Sequence, residues 1–275
     1  MKKMKHISKY FEFYDHGCAA DAQTVVFLPG VACSTWMFRD AVKQFLPNYK
    51  VVLFNNPCTG ETGTPFNLTV PKIAGMVAQV LQHLNLKNCT VVGHSMGGYT
   101  TQQLTQLAPE LVKRIVLVST SCGGSFTRRE MKRLFKDLGA DFWKRRRNFL
   151  DEPEEAINYV FSESFMKSHW VDYKIFAHRF HDLKPRQSVV ARHFICASRF
   201  SSEGFLEKID VPTLVIHGNE DNLIDIEGGQ ILAKSIPLAR YLEVEKCGHF
   251  PMIERKEFYK DIIAFMEGKK IGKEI

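Results

Sequence analysis

The sequence predicts an α/β fold: a mostly parallel central sheet covered by helices on both faces, with a helical segment inserted in the middle of the chain. Three observations carry this expectation. Short apolar, β-branched runs recur along the 275 residues, as in Thr24-Val25-Val26-Phe27-Leu28, and strands apolar on both faces belong to parallel sheets buried on both sides. Helical periodicity fills most of the intervals between these runs, and alternating β and α means parallel strands joined by helices. The alternation then stops after residue 121 and resumes near residue 206.

Taken in order, the strand-like runs are Tyr10–Tyr14, Thr24–Leu28, Lys50–Phe54, Thr90–Val92, Arg114–Val118, Thr213–His217 and Arg240–Val244. Pro71–Leu86 reads as a helix because Ile73, Met76, Val77, Val80, Leu81 and Leu84 recur at helical spacing. Tyr99–Ala108 follows a strand as a helix-like segment, and Glu257–Met266 closes the chain as a helix through Phe258, Ile262 and Phe265. The expected organisation is a core of residues 1–121 and 206–275 with a helical cap of residues 122–205. That cap carries Phe142, Trp143, Phe149, Tyr159, Phe161, Phe165, Trp170, Tyr173, Phe176 and Phe180, which suit an apolar lid over a pocket. At least half of them must serve as the cap's own core.

Composition narrows the class. At 45% hydrophobic and 24% charged residues, the chain can bury one substantial core and shows no sign of disorder. The basic start, Met1-Lys2-Lys3-Met4-Lys5-His6, lacks the apolar stretch of a signal peptide, and no run is long enough to span a bilayer. Seven scattered cysteines without a C-x-x-C pair, among them Cys33 and Cys58 in loops expected near the pocket, read as reduced thiols of a cytoplasmic protein with no metal site. Nothing in the sequence calls for a metal or an organic cofactor.

The chemistry is carried by three short stretches. Gly93-His94-Ser95-Met96-Gly97 fits Gly-x-Ser-x-Gly between a strand and a helix, a turn that needs glycine where side chains would collide and lifts a serine hydroxyl above the sheet. The amide of Met96 would open the helix and supply one oxyanion donor. Gly218-Asn219-Glu220-Asp221 and Gly248-His249-Phe250 follow later strand runs, and ligands of open parallel sheets bind at strand ends. His94, His217 and the cap residues His169, His178, His181 and His193 compete with His249 for the role of base. A packed neutral imidazole is the better reading of His94 beside the serine and of His217 inside a strand.

With serine, acid and histidine in that order, the chain resembles the α/β-hydrolase superfamily from about Tyr10 to Met266. The resemblance implies a cofactor-free serine esterase with Ser95 as nucleophile, His249 as base and Asp221 as orienting acid. Of Glu220, Asp221 and Asp225, Asp221 has the family's Gly-x-x-Asp spacing. It also implies that Phe27-Leu28-Pro29-Gly30-Val31 is the oxyanion loop, with the amide of Val31 as second donor and Trp36 just beyond as a candidate substrate contact. Two departures stand out: Pro29 where the family has histidine, and Asn55-Asn56-Pro57-Cys58-Thr59-Gly60 where it has Asp-x-x-Gly-x-Gly. Thioester, lactone or carbon–carbon hydrolysis would use the same three residues. A ligand-binding protein on this fold without turnover is the alternative of another class.

The net charge of +7 gathers in the cap, at Arg128, Arg129, Lys132, Arg133, Lys136, Lys144, Arg145, Arg146 and Arg147. Such a rim would steer an anionic partner, and it resembles the basic cap of the biotin-pathway esterases that demethylate a pimeloyl ester on acyl carrier protein. A solvated helix of ordinary surface charge explains the same residues. No nucleic-acid recognition motif accompanies Arg145-Arg146-Arg147.

Overall fold

The computed structural model describes residues 6, 7, 9–59, 62, 67–138, 160–183 and 185–272, with the backbone alone at 6, 7, 131 and 133–138. Eight strands form one sheet in the order β1-β2-β4-β3-β5-β6-β7-β8: β1 His6–Ile7, β2 Phe11–Tyr14, β3 Thr24–Leu28, β4 Lys50–Phe54, β5 Cys89–His94, β6 Val112–Val118, β7 Thr213–Gly218 and β8 Ala239–Val244. β1 and β2 pair antiparallel, as do β2 and β4, while β4 through β8 run parallel. The seven strand runs read from sequence are all present, β5 to β8 longer by one to three residues and β2 shorter by one. The two-residue β1 is an addition too short for any periodicity to announce.

Alternation along each strand splits the core into two layers. Val26 and Leu28 of β3 and Leu117 of β6 face one layer, closed by α2 (Val70–His83), α3 (Met96–Leu107) and α8 (Glu227–Ser235). Val25 and Phe27, with Val116 and Val118, face the other, closed by α1 (Arg39–Phe45) and, after the short α9 (Pro251–Glu254), by α10 (Phe258–Met266). Every residue of β3 is buried, and each large side chain so removed from water contributes about 1.5–3 kcal/mol. α2 shows how local sequence sets an element. Thr69 caps it by accepting from the Lys72 amide at 3.4 Å, Pro71 suits its first turn, and Ile73, Ala74, Val77, Ala78 and Leu81 form its buried face.

Between β6 and β7 the described chain forms four helices: α4 Gly124–Leu138, α5 Glu163–Ser168, α6 Trp170–Leu183 and α7 Gln187–Ser198. Both ends of this insertion are stitched together, the Gly124 amide donating to the Phe200 carbonyl at 2.8 Å and the Ser202 amide to that of Cys122 at 2.9 Å. Its aromatic residues divide in two. Phe161, Phe165, Tyr173 and Phe176 are buried, with Phe161 and Phe176 5.1 Å apart in an edge-to-face pair, whereas Trp170 is exposed. Phe142, Trp143, Phe149 and Tyr159 lie outside the described residues. Among the described residues no helix is long and apolar enough to cross a membrane.

Candidate active site

The strand order places the site. The chain passes outward from β3 to β4 and then returns across β3 to β5, so the loops leaving the ends of β3 and β5 diverge over one crevice, where open α/β sheets bind ligands. At the end of β5, Ser95 takes φ 54° and ψ −121°, a strained backbone for a residue with a Cβ. Neighbours hold it there: its amide donates to the Val118 carbonyl at 2.9 Å, and its carbonyl accepts from the Gly98 amide and the Thr120 hydroxyl, each at 2.8 Å. The flanking glycines are required by close approach. A Cβ on Gly97 would be driven into the carbonyl oxygen of Leu28, and one on Gly93 into the carbonyl of Gly97. Both obstacles are backbone, which no rotamer change relieves. Gly97→Ala should therefore lose about 2–3 kcal/mol, read as a lower urea midpoint at unchanged slope. Gly75→Ala on α2, where a new Cβ meets nothing within 4 Å, should gain about 0.5–1 kcal/mol from helix propensity.

Asp221, after β7, and His249, after β8, meet directly: Nδ1 of His249 lies 2.8 Å from Oδ2 of Asp221, and both side chains are buried. The other carboxylate oxygen, Oδ1, accepts from the amides of Leu223 and Ile224, each at 2.9 Å. Burial pushes the carboxyl of Asp221 up, but the attraction of His249 and hydrogen bonds from His217 and His249 outweigh it and hold the group well below the usual range. A carboxylate only accepts, so the ring proton of His249 sits on Nδ1 and Nε2 is left as the unprotonated nitrogen. His217 stands on the far side, Nε2 at 3.4 Å from Asp221 Oδ2 and donating to the Ile224 carbonyl at 2.9 Å. His94 donates from Nε2 to the carbonyl of His249 at 2.8 Å, their rings 4.7 Å apart, which ties the serine turn to the histidine loop. Burial, then the proximity of His249, push the imidazole of His94 well down, so it stays neutral. Ser95 Oγ makes no hydrogen bond among the described residues.

The β3 loop lies against the serine. A Cβ built on Gly30 would sit 3.0 Å from the Cβ of Ser95, so glycine lets the two loops pack this closely without either giving way. Asn56, nearly fully buried, donates from Nδ2 to the carbonyls of Gly30 at 2.7 Å and Pro29 at 3.1 Å. The amide of Ala32, at φ 63°, donates to Nδ1 of His193 at 3.2 Å, and the opposite nitrogen of that ring donates to the Pro57 carbonyl at 2.8 Å. Cys58 occupies the left-handed region at φ 72° where the resemblance expected glycine. Among the described residues no group accepts from the amides of Val31 or Met96.

Other expected site residues lie elsewhere. Trp36 is buried against the inserted helices, its ring 5.4 Å from Phe176 and its Nε1 without a partner among the described residues. Arg128 and Arg129 are exposed on α4, and Arg129 is paired with Glu227 at 2.6 Å beside a cavity of about 220 Å³. The side chains of Arg133, Arg145, Arg146 and Arg147 lie outside the described residues. Cys33 and Cys58 are buried, and burial pushes the thiol of Cys33 far up, which leaves it inert. Sequence reasoning missed Asn56, His193 and Glu254. Glu254 accepts from the amides of Gly248 and Ser162, each at 3.0 Å, while the His249 amide donates to the Val160 carbonyl at 2.7 Å, so the insertion is bonded to the histidine loop. The departure at Asn55-Asn56 was the available signal for Asn56. For His193 and Glu254 none existed, because their partners lie elsewhere in the fold.

Comparison with known proteins agrees with this fold. The family profile described as "alpha/beta hydrolase fold" matches residues 23–256. The hydrolase YugF of Bacillus subtilis, itself uncharacterized, is 24% identical over 92% of each chain. A monoacylglycerol lipase of Homo sapiens is 27% identical over 97% of this chain and 82% of its own. Among solved structures, a thermophilic esterase from Thermogutta terrifontis superposes with a TM-score of 0.77 at 21% identity, covering 94% of this chain and 93% of its own.

Proposed function

The chain belongs to the alpha/beta hydrolase fold family, and from that premise we propose that it is a serine hydrolase cleaving carboxylic esters through an acyl-enzyme. Ser95 Oγ attacks the ester carbonyl carbon as His249 Nε2 takes the hydroxyl proton, and the amides of Val31 and Met96 receive the oxyanion. Collapse expels the alkoxide, which leaves as the alcohol with the proton from His249. Water, deprotonated by the same nitrogen, then releases the acid. The observation that carries the reading is the buried 2.8 Å bond between His249 Nδ1 and Asp221 Oδ2 at the carboxyl end of the sheet, where Ser95 is held in strain. Nucleophile and base commonly close their own hydrogen bond only when substrate arrives.

An ester is favoured over a thioester, lactone or carbon–carbon bond by the name of the monoacylglycerol lipase relative. Residues 122–205 are the cap in this reading, and a small-molecule ester is the substrate. An ester on acyl carrier protein draws its support from the sequence charge of the cap, yet Arg129 is already paired with Glu227. Seven cysteines without a disulfide suit a cytoplasmic setting. The test is a fluorophosphonate probe together with p-nitrophenyl esters of graded acyl length. Covalent labelling of Ser95 with hydrolysis of at least the shorter esters is expected. A protein that is neither labelled nor active is a binder on a hydrolase fold.

A further inference from the structure

The oxyanion donor assigned to Val31 belongs to one peptide group and adjoins the next, and the structure shows what holds each. The carbonyl of Gly30 and the amide of Val31 belong to one planar trans peptide, so the N–H points opposite to the C=O. Asn56 Nδ2 grips that carbonyl at 2.7 Å and thereby sets where the Val31 N–H points. The next peptide carries the amide of Ala32, which donates to His193 Nδ1 at 3.2 Å. That bond keeps the proton on Nε2, which donates to the Pro57 carbonyl at 2.8 Å. His193 is fully buried and comes from α7 of the insertion, 161 residues beyond Ala32. Ala32, with φ 63°, needs such an external hold, since a left-handed alanine is unfavourable alone.

We propose that Asn56 and His193 are positioning residues for the oxyanion hole, one from the core and one from the inserted helices, which jointly aim the Val31 amide. Neither touches the substrate; Asn56 fixes the donor's own peptide and His193 the one that follows it. The arrangement makes the catalytic competence of the core depend on α7 being in place. It rests on the serine-hydrolase reading above. The ceiling on its effect is the loss of one oxyanion donor, about a hundred- to a thousandfold in kcat, and a misaimed donor falls below that ceiling.

Substitutions at position 193 separate the two bonds. In His193→Asn the side-chain oxygen stands where Nδ1 stood and can accept from Ala32, but the side chain is too short for Pro57. In His193→Gln the amide nitrogen reaches Pro57, and no acceptor remains beside Ala32. Asn56→Leu keeps the branching of the side chain at a larger volume and removes the donor to Gly30. With p-nitrophenyl acetate, His193→Gln and Asn56→Leu should lower kcat about 30- to 100-fold while KM stays within about threefold, and His193→Asn should stay within about threefold of the parent in both. Amide exchange at Ala32 should quicken in the Gln variant and not in the Asn variant. Equal kcat in the Asn and Gln variants, or losses confined to KM, would overturn the assignment, and that pair decides the matter even if Asn56→Leu does not fold. Parent protein that a fluorophosphonate fails to label removes the hydrolase reading and this proposal with it. Labelled parent protein with indistinguishable variants removes this proposal alone.

Discussion

Ser95→Ala should abolish ester turnover, lowering kcat about a millionfold, the loss seen when the serine of such a triad is removed. The same substitution should barely change stability. Ser95 Oγ makes no hydrogen bond among the described residues, and the bonds that hold the turn run through its backbone, to Val118, Gly98 and Thr120. Alanine keeps the Cβ against which Gly30 packs and has the same backbone strain at φ 54°. The variant should therefore melt within about 0.5 kcal/mol of the parent, lose all fluorophosphonate labelling, and still bind substrate-like esters. Residual turnover above about a thousandth of the parent rate would move the nucleophile elsewhere. Pairing lost activity with retained stability matters because Gly97→Ala would also lower activity, through the backbone collision with Leu28, and only the urea midpoint tells the two apart.

The parts of this molecule that the sequence made legible are those governed by short-range rules. Buried β-branched runs marked seven strands because each must be apolar on both faces. Gly93 and Gly97 marked the serine turn because their neighbours approach within a side chain's width. Asp221 and His249 were legible by their places after strands, and the structure brings them into contact. What stayed hidden depends on distance along the chain. Nothing near His193 in sequence says that its ring spans Ala32 and Pro57, and read alone it was one cap histidine among four. His217, read as a packed strand residue, is packed, but it also borders the carboxylate of Asp221. Glu254 looks like an ordinary helix acid until the amides of Gly248 and Ser162 are seen to converge on it.

These hidden contacts share a consequence for the insertion. Val160 and Ser162 bond the histidine loop and Glu254, while His193 bonds the oxyanion loop. Phe250, next to His249, packs 5.0 Å from Phe176 and 5.4 Å from Phe161. The inserted helices thus brace two of the four loops that form the site, so changes to the packing of Phe161 or Phe176 should register in the geometry of His249 as well as in pocket shape.

Asp221→Asn should cost on the order of ten-thousandfold in kcat, and the structure gives the reason in hydrogen-bond terms. In the parent, Oδ1 accepts from two amides, of Leu223 and Ile224, and Oδ2 accepts from His249 and faces His217 Nε2. An asparagine has one oxygen for these two positions. Two fixed backbone donors claim it at the Oδ1 position, since turning the amide group there would set two N–H groups against two others. The amide nitrogen must then occupy the Oδ2 position and donate to His249 Nδ1. That drives the ring proton to Nε2, where it blocks acceptance of the serine proton. Substrate binding needs no proton transfer, so KM should change little. Fluorophosphonate labelling, which needs the same base, should slow in parallel with kcat. A variant that keeps more than about a hundredth of the parent rate would mean that the carboxylate orienting His249 is not Asp221.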